Sequence, residues 1–348
     1  MGLKHTLLAA ATHDRMVPLW RPIAGDLVVV LMLHRFTDPA LGAVGHSIPE
    51  LRSNLEFLRR HQFQIGSLGD LVDTGGAPPS NKSPTIIFTV DDGYADFASV
   101  AAPVFAEFDC PATVFLVSGA VDGTTWFWWD RVTFAVNTTR KSAVELEVGG
   151  KPVRAQWDSR DSRWRAAVAV TEALKGVPND EKEGALHMLA EQLDVEVPST
   201  PPPSFAAMTW NDVRRCAAAG ATFGPHTVTH PMLTQVSDDA SKHEIVASWQ
   251  RLRSQCDSTV PVFCYPNGAF TQRDVDILRA TDLAAAVTTH TQYAAPGAFR
   301  AHDADTRFRL PRFAYEGTPA RFAQIVTGLE RVKLALRHGR AGWAPVGR

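Results

Sequence analysis

The feature that most constrains the fold is a series of seven short apolar runs, separated by segments with helical periodicity. The runs are rich in Val, Ile, Phe and Thr, and most are bounded by Gly, Pro, Asp or Asn, as β-strands are. They span residues 27–34, 85–91, 112–117, 221–225, 261–265, 284–289 and 308–313. Near-continuous apolar runs are typical of strands buried on both faces of a parallel sheet. The alternation predicts a parallel α/β fold, and this number of units favours a barrel over an open sheet.

Capping sequences mark the starts of the intervening helices. Ser47 is followed by Pro49 and Glu50, which together form a capping box with an early proline. Thr209, Ser237 and Thr271 stand before other helical patterns, and residues 319–338 are predicted to form a C-terminal helix.

One interval is too long for a single strand–helix unit. Residues 118–205 have helical rather than strand character, with a possible strand only at 144–148, and they end in a proline-rich breaker. We therefore predict a mostly helical insertion after the third strand. The predicted organisation is an N-terminal segment, two parts of a barrel that flank the insertion, and a C-terminal helix with a tail. The corresponding boundaries are 1–24, 25–118, 119–204, 205–316 and 317–348.

Composition excludes several classes of protein. The chain carries 35 Lys and Arg against 37 Asp and Glu, a near balance that argues against a nucleic-acid partner. Its four cysteines lie far apart, which rules out a zinc knuckle and argues against a disulfide framework. No apolar run approaches the ~18 residues of a transmembrane segment. The N-terminus has no convincing signal peptide, so we expect a cytoplasmic protein.

Chemically active side chains fall at the ends of the predicted strands. In a parallel barrel the carboxyl ends of the strands build the active site, so these side chains are expected to share one rim. They are His34 after the first run, Asp91 and Asp92 after the second, His226 and His230 after the fourth, and Arg312 in the seventh.

The spacing of His226 and His230 is suited to a metal site. Two residues four apart share a face on a helical turn, so both imidazoles could reach one ion. A carboxylate would complete a site with two His and one Asp, which suits Zn²⁺ in hydrolysis or Fe²⁺ in an oxygenase. Of the pair Asp91 and Asp92, one could bind the metal while the other acts as a general base. Taken singly, these residues also fit capping histidines and a tight turn; their common rim favours the chemical interpretation.

Two motifs resemble those of the polysaccharide deacetylase family, also known as the NodB-homology family or carbohydrate esterase family 4. Residues 88–93 (FTVDDG) resemble its T-F-D-D-G motif, and residues 224–231 (GPHTVTHP) resemble its H-[ST]-x-x-[HS]-P motif. Residues 263–268 (FCYPNG) match its third motif, R-P-P-Y-G, only in part. The resemblance covers roughly residues 25–118 and 205–315. It implies an α/β fold with a distorted (β/α) barrel of about seven parallel strands.

The resemblance also implies a role for each motif residue. Asp91 would be the catalytic base, and the backbone amide of Asn267 would stabilise the oxyanion. Asp92, His226 and His230 would bind the metal. Zn²⁺ is the expected ion, with another divalent metal as the alternative.

The chain departs from the family pattern in two places. Cys264 stands where the third motif has its arginine, and Arg312 on the last strand is expected to reach the same rim instead. The usual late catalytic histidine is also missing. Residues 31–34 (LMLH) resemble a permuted branch of the family in which the acid, here His34, comes from the first strand. That branch is similar in residues 265–268 and 310–312 as well, and we place Tyr265 and Pro266 at the substrate.

The segment 126–130 (WFWWD) is an unusual aromatic cluster. Trp128 and Trp129 either form a stacking platform for sugar rings or belong to the core of the inserted helices. Both interpretations stay open, and we include the two tryptophans among the candidate substrate-binding residues.

The sequence therefore predicts a metal-dependent hydrolase that removes N-acyl groups, above all acetyl, from an amino sugar in a polysaccharide or glycan precursor. Its partner would be an N-acetylated carbohydrate. One alternative is a deacylase or deformylase of a lipid-linked sugar, a nucleotide-linked sugar or a non-sugar amide. Another class is a non-catalytic carbohydrate-binding protein. An iron oxygenase would share the ligand set but lacks a recognisable 2-oxoacid arginine.

Overall fold

The computed structural model of this 348-residue chain describes residues 8–73, 83–299, 304–339, 342 and 344–346. The start of the predicted N-terminal segment and part of the predicted C-terminal tail lie outside the described residues. Among the described residues, no helix combines the length and apolar character that a bilayer span requires.

Seven parallel strands, which correspond to the seven predicted runs, form a distorted barrel. An eighth parallel strand, Gln64–Ile65, is only two residues long and was not predicted from the sequence. The strands of the described chain are β1 (Val28–Leu33), β2 (Gln64–Ile65), β3 (Thr85–Val90), β4 (Ala112–Leu116), β5 (Ala143–Val148), β6 (Lys151–Gln156), β7 (Thr222–Pro225), β8 (Val262–Cys264), β9 (Ala285–Val287) and β10 (Phe313–Ala314). The continuous sheet has the order β10-β1-β3-β4-β7, with β2 added on β3. β8 and β9 pair separately, and single bridges from Phe223 to Thr259 and from Val287 to Leu310 connect them to the sheet. The ring therefore closes through two weak seams, which is why the barrel is distorted.

Helices surround this ring and fill the insertion. They are α1 (Val17–Ala24), α2 (Ile48–Arg60), α3 (Leu68–Asp73), α4 (Ala102–Glu107), α5 (Ser118–Val121), α6 (Trp128–Thr138), α7 (Arg160–Lys175), α8 (Asn179–Leu193), α9 (Trp210–Ala218), α10 (Asp238–Gln255), α11 (Gln272–Arg279), α12 (Ala304–Arg307), α13 (Pro319–Val326) and α14 (Leu329–His338). A π-helical turn, Phe97–Ala101, precedes α4, and short 3-10 turns lie at Asp14–Met16, Pro203–Phe205, Leu233–Gln235, Pro266–Gly268 and Pro296–Phe299. The helices α2, α9, α10 and α11 each begin one residue after a predicted cap.

Side chains alternate between two cores along each barrel strand. Val28 and Val30 of β1 point to the interior cluster, which also contains Ile87 of β3 and Val262 of β8. Their neighbours, such as Leu31, pack outward against the helices. Because both faces are buried, the strands are apolar throughout. If the same alternation is continued beyond the strands, the inward-pointing positions include His34, Asp91 and His226, which follow their strands, and Arg312, which precedes β10.

The insertion has its own hydrophobic core. Helices α6, α7 and α8 pack against the hairpin β5–β6, with Val136, Leu146, Trp157, Val170 and Leu189 at the centre. The insertion is mostly helical, as predicted, but the possible single strand at 144–148 is a two-stranded hairpin. Its second strand, Lys151–Gln156, escaped the sequence analysis because its side chains are mostly exposed and polar.

Two other predictions need correction. The seventh run, residues 308–313, pairs as a strand only at Phe313–Ala314, since Leu310 makes a single bridge and Arg312 turns into the interior. The predicted C-terminal helix, residues 319–338, is two helices, because Gly328 adopts a left-handed φ of 85° between them.

The break at Gly328 supplies a test of this packing. A Cβ added there would lie 2.7 Å from the backbone nitrogen of Ala24 on α1, whereas at Gly123, with a similar φ of 74°, nothing lies within 4 Å. Gly123→Ala should cost about 1–2 kcal/mol for the left-handed backbone alone. Gly328→Ala should lower the urea unfolding midpoint more than Gly123→Ala does, because α14 must also move away from α1. Equal midpoints for the two variants would contradict the close approach.

Candidate active site

The carboxyl end of the barrel opens into a cavity of about 440 Å³. Most of the predicted site residues line it, and so does the first helix of the insertion. The lining includes His34, Asp91, Asp92, Trp128, Trp129, His226, His230 and Asn267. Residues from distant parts of the sequence thus meet on one rim because parallel strands end on the same side.

Asp92, His226 and His230 form a buried cluster in the floor of this cavity. The Nε2 atoms of both histidines lie 3.5 Å from Oδ1 of Asp92, and the three potential ligand atoms are within 4.8 Å of one another. A tetrahedral ion with bonds of about 2.0–2.1 Å holds its ligand atoms roughly 3.4 Å apart. The spacing and the donor set, one carboxylate and two imidazoles, therefore fit a Zn²⁺-type ion.

The loop that carries the two histidines is not helical, in contrast to the helical turn assumed from their spacing. Thr227 and His230 both have a left-handed φ, 68° and 60°, directly after strand β7. This tight reversal brings the two imidazole rings to 4.7 Å between centroids. The ring contact is thus produced by a strained loop rather than by helical periodicity.

Glu244, which the sequence analysis missed, holds this loop in place. Its carboxylate accepts hydrogen bonds from the backbone amides of Val228 (2.7 Å) and Thr229 (2.9 Å) and from the Thr229 hydroxyl (2.6 Å). Glu244 is buried on α10, opposite the loop. A charged residue in the middle of a helical pattern carries no local sign of such a role, so only the packing of α10 against β7 reveals it.

Burial and neighbouring charges set the protonation states of the cluster. Burial lowers the pKa of His226, but Cys264, Asp92 and Asp91 outweigh it and raise the pKa well above its usual value, so a metal ion would have to displace a proton from this imidazole. Nδ1 of His226 donates to the carbonyl of Cys264 at 2.7 Å, which leaves Nε2 free to face Asp92. Burial, together with the neighbouring His226, lowers the pKa of His230 to about 3, so this imidazole is neutral at neutral pH. Burial raises the pKa of Asp92, but the two histidines outweigh it and hold the pKa below its usual range. The carboxylate is therefore ionised.

Asp91 is bound by a buried arginine, Arg312, which directly precedes the last strand. The guanidinium of Arg312 donates to both carboxylate oxygens, at 2.7 and 2.8 Å, and is itself fully buried. The carbonyl of Thr288 (2.9 Å) and the hydroxyl of Thr89 (3.1 Å) accept its other hydrogens. Burial raises the pKa of Asp91, but the charge of Arg312 outweighs it and depresses the pKa well below its usual range. Asp91 is thus ionised and fixed in orientation.

Cys264 fits beside this ion pair. Its Sγ lies 3.2 Å from a terminal nitrogen of Arg312 and 3.6 Å from Oδ2 of Asp91. Since a thiol is small, it leaves room for the guanidinium of Arg312. The structure thus places Arg312 against the carboxylate, next to the residue that stands in the motif position.

His34 lies at the mouth of the cavity. Its Nε2 is 3.9 Å from Oδ2 of Asp91, and 45% of its side chain is exposed. It therefore faces the space in which a substrate would enter, rather than the buried cluster.

Backbone strain is concentrated at this site. Seven non-glycine residues of the described chain have a positive φ, and four of them, Asp92, Thr227, His230 and Asn267, belong to the motif loops. Asn267 lines the cavity from the 3-10 turn Pro266–Gly268. Conformations of this kind cost of order 1–3 kcal/mol each and cluster at functional sites.

Tyr265 and Pro266 do not line the cavity, in contrast to their predicted place at the substrate. Both are buried, and the ring of Tyr265 stacks on Phe270 at 4.4 Å. Cys264, the last residue of β8, points into the barrel, so the side chain of the next residue, Tyr265, points outward into the helical layer. The alternation of side chains along β8 thus explains the difference.

Trp128 and Trp129 have both a packing role and a place in the cavity wall. The Trp129 ring packs edge-on against His230 at 4.6 Å, and its Nε1 donates to the Tyr94 hydroxyl at 3.0 Å. Trp128 packs on the core of the insertion. The Tyr94 hydroxyl in turn donates to Asp130 at 2.7 Å, and burial raises the pKa of Asp130 to about 7. The two interpretations of this aromatic cluster are therefore compatible.

Comparison with known proteins agrees with this geometry. A family model described as polysaccharide deacetylase matches residues 179–286, which include both cluster histidines but not Asp91 or Asp92. A comparison with curated sequences finds no significant match.

Several solved deacetylase structures share the fold. The Streptococcus pyogenes deacetylase PplD, in complex with acetate, is 17% identical, with a TM-score of 0.55 over 87% of this chain and 99% of its own. IcaB from Ammonifex degensii is 16% identical, with a TM-score of 0.52 over 87% and 97%. The Aggregatibacter actinomycetemcomitans de-N-acetylase is 13% identical, with a TM-score of 0.52 over 84% and 96%. Residues 179–286 of this chain thus match the polysaccharide deacetylase family model, and the solved deacetylase structures share its fold.

Proposed function

We propose that this protein is a metal-dependent hydrolase that removes acetyl groups from the amino sugars of a glycan. The observation that carries the proposal is the ionised, arginine-bound Asp91 directly beside the buried cluster of Asp92, His226 and His230. A cluster alone would serve a binding protein, whereas a separate carboxylate held at its edge provides a base for hydrolysis. The match of residues 179–286 to the polysaccharide deacetylase family model supports the same class of reaction.

Asp91 would take the proton from the attacking water. A divalent ion held by Asp92, His226 and His230 would polarise the acyl carbonyl and lower the pKa of water from about 15.7 toward about 7. The depressed pKa of Asp91 keeps its carboxylate unprotonated, so that it is available to accept a proton. Arg312 both orients the carboxylate and keeps it ionised.

His34 and Asn267 would act on the substrate itself. His34, protonated at the mouth of the cavity, gives a proton to the departing sugar amine. The backbone amide of Asn267 donates to the developing oxyanion, a type of contact worth about 10²–10³ in rate. The proposal includes the permuted arrangement, in which the general acid, His34, follows the first strand instead of lying late in the chain. The aromatic rings of Trp128 and Trp129 offer apolar faces to the sugar.

The proposal is tested by acetate release. Purified protein, loaded with Zn²⁺ and with its metal content measured, is incubated with oligomers of N-acetylglucosamine, and free acetate is quantified. Acetate formation that depends on the metal supports the proposal. If the fully loaded protein releases acid only from a lipid-linked sugar, a nucleotide-linked sugar or a non-sugar amide, that compound is the substrate and the glycan is not. Fully loaded protein that is inactive on all of them would contradict enzymatic function.

His230→Ala should abolish tight metal binding, because it leaves only two ligands. We expect Zn²⁺ affinity to fall by at least ~100-fold, beyond the 10–100-fold typical for loss of a supporting residue. The matched control is His243→Ala, an exposed histidine on α10 outside the cavity lining. Elemental analysis after dialysis measures both variants. Full Zn²⁺ occupancy in His230→Ala would show that His230 is not a metal ligand.

Arg312→Ala should move the acid limb of the pH profile of kcat/KM upward. Asp91 must be ionised to accept a proton. Without Arg312, only His34 and His226 oppose the rise in its pKa that burial causes, so activity is lost at a higher pH than in the parent. Arg312→Lys retains the positive charge and should shift the limb less. Circular dichroism verifies the fold, since loss of one partner of a buried ion pair costs about 3–5 kcal/mol. Superimposable acid limbs in parent and Arg312→Ala would exclude this role.

His34→Ala should lower kcat by about 10²–10⁴, the usual contribution of a general acid. Metal content should stay at the parental level, because His34 lies outside the buried cluster. Turnover at the parental rate would show that another group protonates the amine.

A further inference from the structure

The two histidines of the buried cluster differ in how their imidazole rings are held. Nδ1 of His226 donates to the carbonyl of Cys264 at 2.7 Å. Nδ1 of His230 is buried and has no hydrogen-bond partner within the described part of the chain. A ligating histidine usually donates its second ring N–H to an oxygen, and that bond fixes the orientation of the ring. Among the described residues, the restraint on the His230 imidazole therefore comes from packing.

Two aromatic rings of the insertion pack against the His230 imidazole. The centroid of the Trp129 ring lies 4.6 Å from that of His230, with 65° between the planes, and the Phe127 ring lies 6.0 Å away at 70°. Phe127 and Trp129 are themselves stacked at 4.6 Å, with their planes 9° apart. Because buried side chains are close-packed, rings at these distances restrict rotation of the imidazole.

The Trp129 ring is itself fixed on two sides. Its Nε1 donates to the Tyr94 hydroxyl at 3.0 Å, and this hydroxyl donates to Asp130 at 2.7 Å. One face of the ring is covered by Phe127, which belongs with Tyr94 to a small buried hydrophobic cluster. The ring therefore has a defined position before any metal ion or substrate binds.

A second tryptophan provides a comparison. A neighbouring cavity of about 640 Å³ adjoins the catalytic one, and both Trp129 and Trp164 line the two cavities. Trp164 is 65% exposed and is not among the rings that pack against His230 in the described chain. Trp164 thus only lines the cleft, whereas Trp129 also supports a member of the buried cluster.

We propose that Trp129 is a positioning residue of the metal site. Its ring holds the imidazole of His230 in the orientation in which Nε2 lies 3.5 Å from Oδ1 of Asp92. This inference rests on the metal site of the proposed function. It assigns to the insertion a part in metal binding, although Asp92, His226 and His230 all belong to the loops of the barrel.

The test measures the Zn²⁺ dissociation constant by competition with a chromophoric chelator, so that it needs no substrate. Trp129→Leu removes the aromatic ring and keeps an apolar side chain, and we expect Zn²⁺ affinity to fall about tenfold, as for loss of other residues that orient a metal ligand. Trp129→Phe keeps a ring at this position and should recover most of that loss. The matched control, Trp164→Leu, should bind Zn²⁺ as the parent does.

A double-mutant cycle separates support of His230 from a general loosening of the site. In a His230→Ala background, Trp129→Leu should cause no further fall in affinity, because the ligand that it supports is already gone. In a His226→Ala background, the tenfold fall should persist. Circular dichroism verifies that each variant is folded.

Parental affinity in Trp129→Leu, equal losses in the two histidine backgrounds, or a phenylalanine variant as weak as the leucine variant would overturn the positioning role. If the parent does not bind Zn²⁺, the metal site of the proposed function fails and this inference fails with it. If the parent binds Zn²⁺ but releases no acetate, the proposed hydrolase is contradicted, and the measured affinities still decide the role of Trp129.

Discussion

The buried ion pair between Asp91 and Arg312 is the interaction on which the site depends. It joins the end of β3 to the last strand across the interior of the barrel, and both partners are almost completely buried. An unpaired carboxylate at this depth would take up a proton, since burial alone raises its pKa. With Arg312 in place the charge persists, and the adjacent Asp92 is left to meet the two histidines. Two neighbouring carboxylates thereby acquire different environments and can perform different tasks.

The loops around this pair are held in strained conformations by the layer behind them. Asp92 and His230 adopt left-handed backbone angles that isolated chains of L-residues avoid. Glu244 compensates at the histidine loop by accepting three hydrogen bonds, and the carbonyl of Cys264 fixes one imidazole. The helical layer thus stabilises a geometry that the loops would not adopt alone. The cluster is suitable for a metal ion because of the positions of its three side chains as well as their chemical identity.

The insertion converts an open rim into a lined cleft. Its core is separate from the barrel, yet Trp129 at its first helix contacts His230 and is anchored through Tyr94 to the loop after β3. An element with its own core can vary its outer surface without disturbing the catalytic cluster. The surface that the insertion exposes here is that of α7, with Trp164 between two cavities.

The sequence by itself determined most of the barrel strands, the starts of four helices and the rim residues, because strand burial, capping and the side at which parallel strands end are local or topological properties. Asp91, Asp92, His226 and His230 follow from those rules. Only the tertiary structure decided that Arg312 pairs with Asp91, that Glu244 holds the histidine loop, that Tyr265 faces the core, and that Trp164 stands over the cleft. Each of these contacts joins residues that are remote in sequence. Which face of a helix or strand makes such a contact depends on tertiary packing, and the local sequence carries no signal for it.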